Sequence, residues 1–87
     1  MTGKTATGFE FNIEADSIAD DWEMVELLAE ADSGDNMATI KAMKAILGKD
    51  YDRLKDHIRD ESGQVSAVRM KHEFLEILSK LGGSVKN

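Results

Sequence analysis

Asp20 to Ala31, DDWEMVELLAEA, limits the folds open to this chain more than any other stretch. It reads as helix and holds the only Trp. At 100° per residue, Trp22, Met24, Val25, Leu27, Leu28, Ala29 and Ala31 cover roughly 220° of the helix surface, wider than one core-facing stripe requires. Glu23, Glu26 and Glu30 share the arc that remains, where like charges three or four apart repel by about 0.2–0.5 kcal/mol per pair. No Lys or Arg lies nearby in sequence to relieve them. Such a helix is either the buried centre of a small helical domain or a helix with one face kept for a partner.

The rest of the chain reads as helices in series. Residues 1–8 are small, polar and Gly-containing, which predicts a flexible start. Residues 9–14 follow as a strand-like segment, because Phe9, Phe11 and Ile13 alternate with Glu10, Asn12 and Glu14 at period two. A lone strand leaves its backbone groups unpaired. Its partner is residues 3–7 folded back around Gly8, a second copy of the chain or another protein, unless the segment only packs its two Phe rings on the helices. Asp16 to Asp20 reads as a connector in which Asp16, Ser17 and Asp20 are N-cap candidates. Helices are expected over about 20–32, 35–47, 50–61 and 66–81. Asp35 caps the second, with Gly48 just past its end, and Ser66 caps the fourth, with Gly82-Gly83 stopping it. The third is laced with opposite charges three apart: Asp50–Arg53, Asp52–Lys55, Arg53–Asp56 and Asp56–Arg59. Arg69–Glu73 and Glu76–Lys80 read as surface pairs on the far side of the fourth. With no Pro to interrupt it, the pattern predicts an all-α fold, a small bundle of about four helices with a short N-terminal extended or β segment.

Eighty-seven residues make one domain, 1–87, with no room for a second core. The chain has no Cys, hence no disulfide framework and no thiolate chemistry. No apolar run approaches a membrane span, and MTGKTATG lacks the apolar core of a signal peptide, so an intracellular protein is expected. Charge divides unevenly along the chain. Residues 1–40 carry Lys4 against ten carboxylates, a net of −9, and residues 41–87 carry ten Lys/Arg against seven Asp/Glu, a net of +3. The acidic half calls for a basic partner or for the protein's own other half.

No constellation suggests catalysis, a cofactor or a metal site. His57 and His72 are far apart and without ligands at metal spacing. Asp32-Ser33-Gly34-Asp35-Asn36 has its Gly third and Met43 twelfth, where a calcium loop wants Gly sixth and Glu twelfth. Asp16-Ser17-Ile18 is similar to the phosphopantetheine site of acyl carrier proteins, but only a strand-like stretch precedes Ser17 where that family has a full helix. A capping role for Ser17 fits better. The cations of the third helix alternate with acids instead of forming a patch, which argues against nucleic acid.

Taken in order, an alternating Phe9-x-Phe11-x-Ile13, an acidic helix start at Asp20-Asp21, Leu47-Gly48-x-x-Tyr51-x-x-Leu54, Gly63-x-Val65 and a Lys86-Asn87 end resemble the small tail assembly chaperones of long-tailed bacteriophages and prophages. The resemblance implies a non-enzymatic protein of the host cytoplasm. It would bind the tape-measure protein and keep it soluble while tail-tube subunits polymerise around it, with tail-tube protein a further partner. In that family a frameshift often makes an extended form. The alternative is a structural or adaptor subunit of a phage particle, acting as a homo-oligomer. Neither reading involves nucleic acid or membrane. Met24, Met37, Met43 and Met70 occupy helical apolar positions, as core or as an adaptable contact surface. The side chains expected to meet a partner are Trp22, Val25 and Ala29, together with the edge formed by Phe9, Phe11 and Ile13.

Overall fold

The computed structural model describes residues 2–85, with only the backbone given for Ala15 and residues 82–85. Its core is built by an N-terminal hairpin and three helices. Strand β1 (Thr2–Lys4) pairs antiparallel with β2 (Glu10–Asn12), placing Thr2 opposite Asn12, Gly3 opposite Phe11 and Lys4 opposite Glu10. The hairpin packs on α3 (Asn36–Leu47), α4 (Asp50–Ile58) and α5 (Ala67–Val85). Phe9, Phe11 and Ile13 enter one cluster with Met43, Ile46 and Leu47 of α3, Leu54 and Ile58 of α4, and Met70, Phe74, Ile77 and Leu81 of α5. The remaining helices, α1 (Ala15–Ala19) and α2 (Trp22–Asp32), lie outside this cluster. The α2 helix packs mainly along α3, and α1 bridges α2 and α5.

The architecture is mostly helical, with five helices among the described residues and a two-stranded sheet. The expected four-helix count is therefore one short, because residues 15–19 form a short helix where a connector was expected. Ser17 sits inside that helix and caps nothing. Asp21 performs the capping, its carboxylate accepting from the Met24 N–H at 3.2 Å. Asp35 does cap α3, accepting from Met37 and Ala38, and Gly48 leaves that helix with φ of 55°. Ser66 caps α5 through the Arg69 N–H.

Two helix ends differ from expectation. The α4 helix stops at Ile58, three residues before 61, because Asp60 draws the backbone into a turn. Its carboxylate accepts from Ser62 N–H, Ser62 Oγ–H and Gln64 N–H, a local network that competes with helical bonding. Conversely, Gly82 and Gly83 do not stop α5, whose backbone stays helical to Val85. Glycine in a helix costs about 0.5–1 kcal/mol relative to Ala but does not forbid the conformation.

Residues 1–8 were expected to be flexible, yet 2–8 are tied down on both sides. The strand partner is the folded-back option: Thr5 N–H donates to the Phe9 carbonyl, Gly8 N–H to the Thr5 carbonyl, and Gly8 takes φ of 93° at the turn. From α5, Glu73 Oε1 accepts from Thr5 Oγ1 at 2.8 Å and Glu76 Oε2 accepts from the Ala6 N–H at 2.7 Å. Glu73 and Glu76 thus face the hairpin and are not the far-side surface pairs expected for them. On α4 the pairs Asp50–Arg53, Asp52–Lys55 and Asp56–Arg59 form. Arg53 does not pair with Asp56. Its guanidinium donates to the Glu10 carbonyl and stacks 4.8 Å from the Phe9 ring centroid.

Candidate functional site

The helix that dominates the sequence has no buried residue. Of the two roles open to α2, the structure rejects the buried centre. Met24, Leu27 and Leu28 are half-buried against the core cluster, and the rest of the wide apolar arc faces outward. Trp22 is 72% exposed, and Val25 and Ala29 are exposed beside it. These three occupy adjacent angles on the helix, so they form one continuous strip.

That strip borders a groove of about 640 Å³. Its floor and walls are mainly apolar: Ile18 and Ala19 of α1, Val25, Leu28 and Ala31 of α2, and Phe74, Leu75, Leu78 and Leu81 of α5. The α3 start closes one end with Asn36 and Thr39, where Asn36 Oδ1 accepts from Lys71 Nζ at 2.9 Å. On the α5 side Leu75 is 63% exposed, and Val68, one heptad earlier, extends the same apolar row. The groove exists because α1 is short and α2 leans on α3. Nothing among the described residues fills the space between α2 and α5.

The partner-facing residues expected from the sequence separate here. Trp22, Val25 and Ala29 lie together on the outer face of α2, and Val25 of the three also lines the groove. Phe9, Phe11 and Ile13 are not: all three are buried in the core, so their side chains offer no contact surface. The period-two pattern located the strand, but the hairpin turns its apolar face inward onto α3, α4 and α5. The methionines divide too, with Met43 and Met70 in the core, Met24 half-buried and Met37 exposed on α3. Missed from the sequence were Leu75, Leu28 and Ile18. Leu75 stands three residues from both His72 and Leu78 at the margin of the apolar face, and only the position of α2 makes that margin a wall.

Electrostatically the acidic half stays acidic. All ten carboxylates between Glu10 and Asp35 are exposed. Among the described residues none is ion-paired, since the three ion pairs all lie between Asp50 and Arg59, on α4 and its C-cap. The expected alternative, that the two halves neutralise each other in contact, does not occur among these residues. Asp32 lies in the groove lining, and Glu26 and Glu30 run along the far side of the Trp22 strip.

No group of three His, Cys, Asp or Glu among the described residues is placed to hold a metal ion. His57 is exposed, its Nε2 lying 3.0 Å from Thr7 Oγ1 and its ring 5.5 Å from that of Phe9. Among the described residues no helix is long and apolar enough to cross a membrane. What the molecule offers is an open, mainly apolar groove whose lining carries one carboxylate, Asp32, and one ammonium, Lys71. No protein family, curated protein or solved structure matches the chain.

Proposed function

We propose that this chain is a non-enzymatic tail assembly chaperone of a long-tailed phage or prophage, acting in the host cytoplasm. Its client is the tape-measure protein, held by an apolar stretch in the groove between α2 and α5, with tail-tube protein a second partner. The observation that carries the reading is the exposed strip of Trp22, Val25 and Ala29, whose Val25 lines one groove with the exposed Leu75. Fully burying a large apolar side chain contributes about 1.5–3 kcal/mol. Trp22, Val25 and Leu75 together outweigh the tenths of a kcal/mol available from any one surface charge. Apolar contact therefore supplies most of the holding energy, as expected for a client that must be kept from aggregating.

The test is co-expression with a tape-measure segment, followed by light scattering on the purified material. A soluble complex, with the segment insoluble when expressed alone, supports the chaperone. A discrete oligomer of this protein alone, with the segment precipitating, replaces it with the self-assembling structural subunit. Trp22→Ala locates the contact: it should leave folding intact and weaken the complex.

A further inference from the structure

We infer that the groove between α2 and α5 takes its client as a helix of about three turns, with one apolar face in the groove and one end against Asp32 and Lys71. This rests on the reading that the groove holds a polypeptide client, and it names that client's conformation and length. The lining is divided along its length. Asp32 ends α2, Asn36 begins α3, and Lys71 near the start of α5 bonds Asn36, so these polar side chains gather with Thr39 at one end. From there towards α1 the lining is apolar, with Leu28 and Val25 on one wall, Leu75, Leu78 and Leu81 on the other, and Ile18 beyond them.

That division selects a conformation. An extended chain presents an N–H and a C=O at every residue, and the apolar side chains of the groove offer neither donors nor acceptors to meet them. A helix satisfies those groups internally and leaves them without partners only at its ends. The polar end of the groove supplies what such a terminus lacks. Asp32 is an exposed acceptor outside every ion pair among the described residues, and Lys71 gives one of its donors to Asn36 and keeps the others. With one carboxylate and one ammonium, the lining asks for no net charge on the client.

Size sets the length and the depth. Lys71 to Leu81 spans ten residues of α5, about 15 Å, which a client helix of about ten residues matches. A helix that long and about 10 Å across occupies on the order of 1,200 Å³. The groove holds about 640 Å³, so one face of the helix enters and the other stays in water. The entering face is the row at i, i+3, i+4 and i+7.

Two synthetic peptides of about 18 residues, identical in composition and of zero net charge, test this. One carries Leu at i, i+3, i+4 and i+7 with balanced Glu–Lys pairs outside; the other carries the same residues with Leu at alternate positions. In amide NMR titrations of the protein, the first should shift the signals of Val25, Leu28, Leu75 and Leu78 and bind about tenfold tighter or more than the second. A spin label on one peptide terminus should broaden Asn36 and Thr39, and on the other terminus Ile18 and Ala19. Leu75→Asp and Val25→Asp, at exposed positions on opposite walls, should each weaken binding about tenfold or more with an unchanged circular dichroism spectrum. Equal affinity for the two peptides overturns the helix, and equal broadening from both termini overturns the fixed end. Binding that survives both Asp variants overturns the groove, as does a homodimer that either variant dissolves to monomer. If Leu75→Asp keeps a tape-measure segment soluble as well as the parent does, this inference fails and the chaperone reading stands. If the peptides behave as expected and the segment precipitates, the groove's preference stands and the chaperone reading falls.

Discussion

Thr5 Oγ1 donates to Glu73 Oε1 at 2.8 Å across 68 residues of sequence, and both side chains are buried. The same hydroxyl accepts from the Phe9 N–H at 3.1 Å, so one oxygen closes the hairpin turn and anchors it to the middle of α5. The hairpin in turn delivers Phe9, Phe11 and Ile13 to the core, which leaves α2 free to stand outside.

Thr5→Val tests that anchor. Valine keeps the shape but removes the donor and leaves a buried carboxylate short of a partner, at a cost of about 2–3 kcal/mol. Thr5→Ser restores the hydroxyl and should cost well under half as much. Combining Thr5→Val with Glu73→Met removes both polar partners and should recover part of the loss. Urea denaturation of the four proteins measures this, and a double variant no more stable than Thr5→Val alone would show that Glu73 matters by some other contact.

The donor order reaches the surface. Thr5 gives its only hydroxyl proton to Glu73, so the 3.2 Å contact with Thr7 requires Thr7 to be the donor. Thr7 Oγ1 then accepts from His57 Nε2 at 3.0 Å. Neutral His57 should therefore carry its proton on Nε2. Nitrogen-15 chemical shifts of the imidazole distinguish the two tautomers, and a dominant Nδ1–H form would break the proposed order.

Much of this was legible in the chain, for local reasons. The third and fifth helices were readable because a capping residue, an apolar period and a terminating or flanking signal agreed at Asp35 and at Ser66. The strand was readable because Phe9, Phe11 and Ile13 alternate. The order of residues 2–8 was not, because it depends on Glu73 and Glu76, more than sixty positions away, and TGKTATG carries no apolar pattern of its own. Glu73 looked like a surface partner of Arg69, yet it stands three residues after Met70 and four before Ile77, on the edge of the buried face. For the site, Trp22, Val25 and Ala29 were visible as surplus apolar arc. The groove was not, because an arc width does not say which neighbour covers which part of it.

Gly3 makes room for Phe11. A Cβ built on Gly3 would stand 2.5 Å from Phe11 Cζ, the residue opposite it in the sheet. Phe11 is buried, and its ring has little freedom to retreat. Gly3→Ala should destabilise by about 1–3 kcal/mol, the usual penalty for overpacking. Combining it with Phe11→Leu should relieve much of that penalty, and thermal melts of the two proteins make the comparison.

Asp60 gives the stability a dependence on acid pH. The Ser62 hydroxyl, followed by the Gln64 N–H, holds its carboxyl below the ordinary value of 3.8. A folded-state pKa below the unfolded one means the ionised form is favoured by folding. Its contribution is complete above about pH 4 and is lost as pH falls through the lower folded value. Asp60→Asn should therefore flatten the acid limb of the stability–pH curve and leave its slope near neutrality unchanged. Parallel limbs for the two proteins in denaturant titrations below pH 4 would contradict the assignment.

Glu26→Lys should stabilise the fold. Glu26 lies three residues after Glu23 and four before Glu30, and all three are exposed. The substitution exchanges two repulsive neighbours for two attractive ones, each worth about 0.2–0.5 kcal/mol, for a gain of about 1 kcal/mol at low salt. In a domain of this size that raises Tm by roughly 4–8 °C. The carboxylates along α2 therefore make the isolated molecule less stable than its fold allows, and none of them is needed for packing. Thermal melts of the two proteins at low and high salt measure the gain, and an unchanged or lowered Tm at low salt would contradict it.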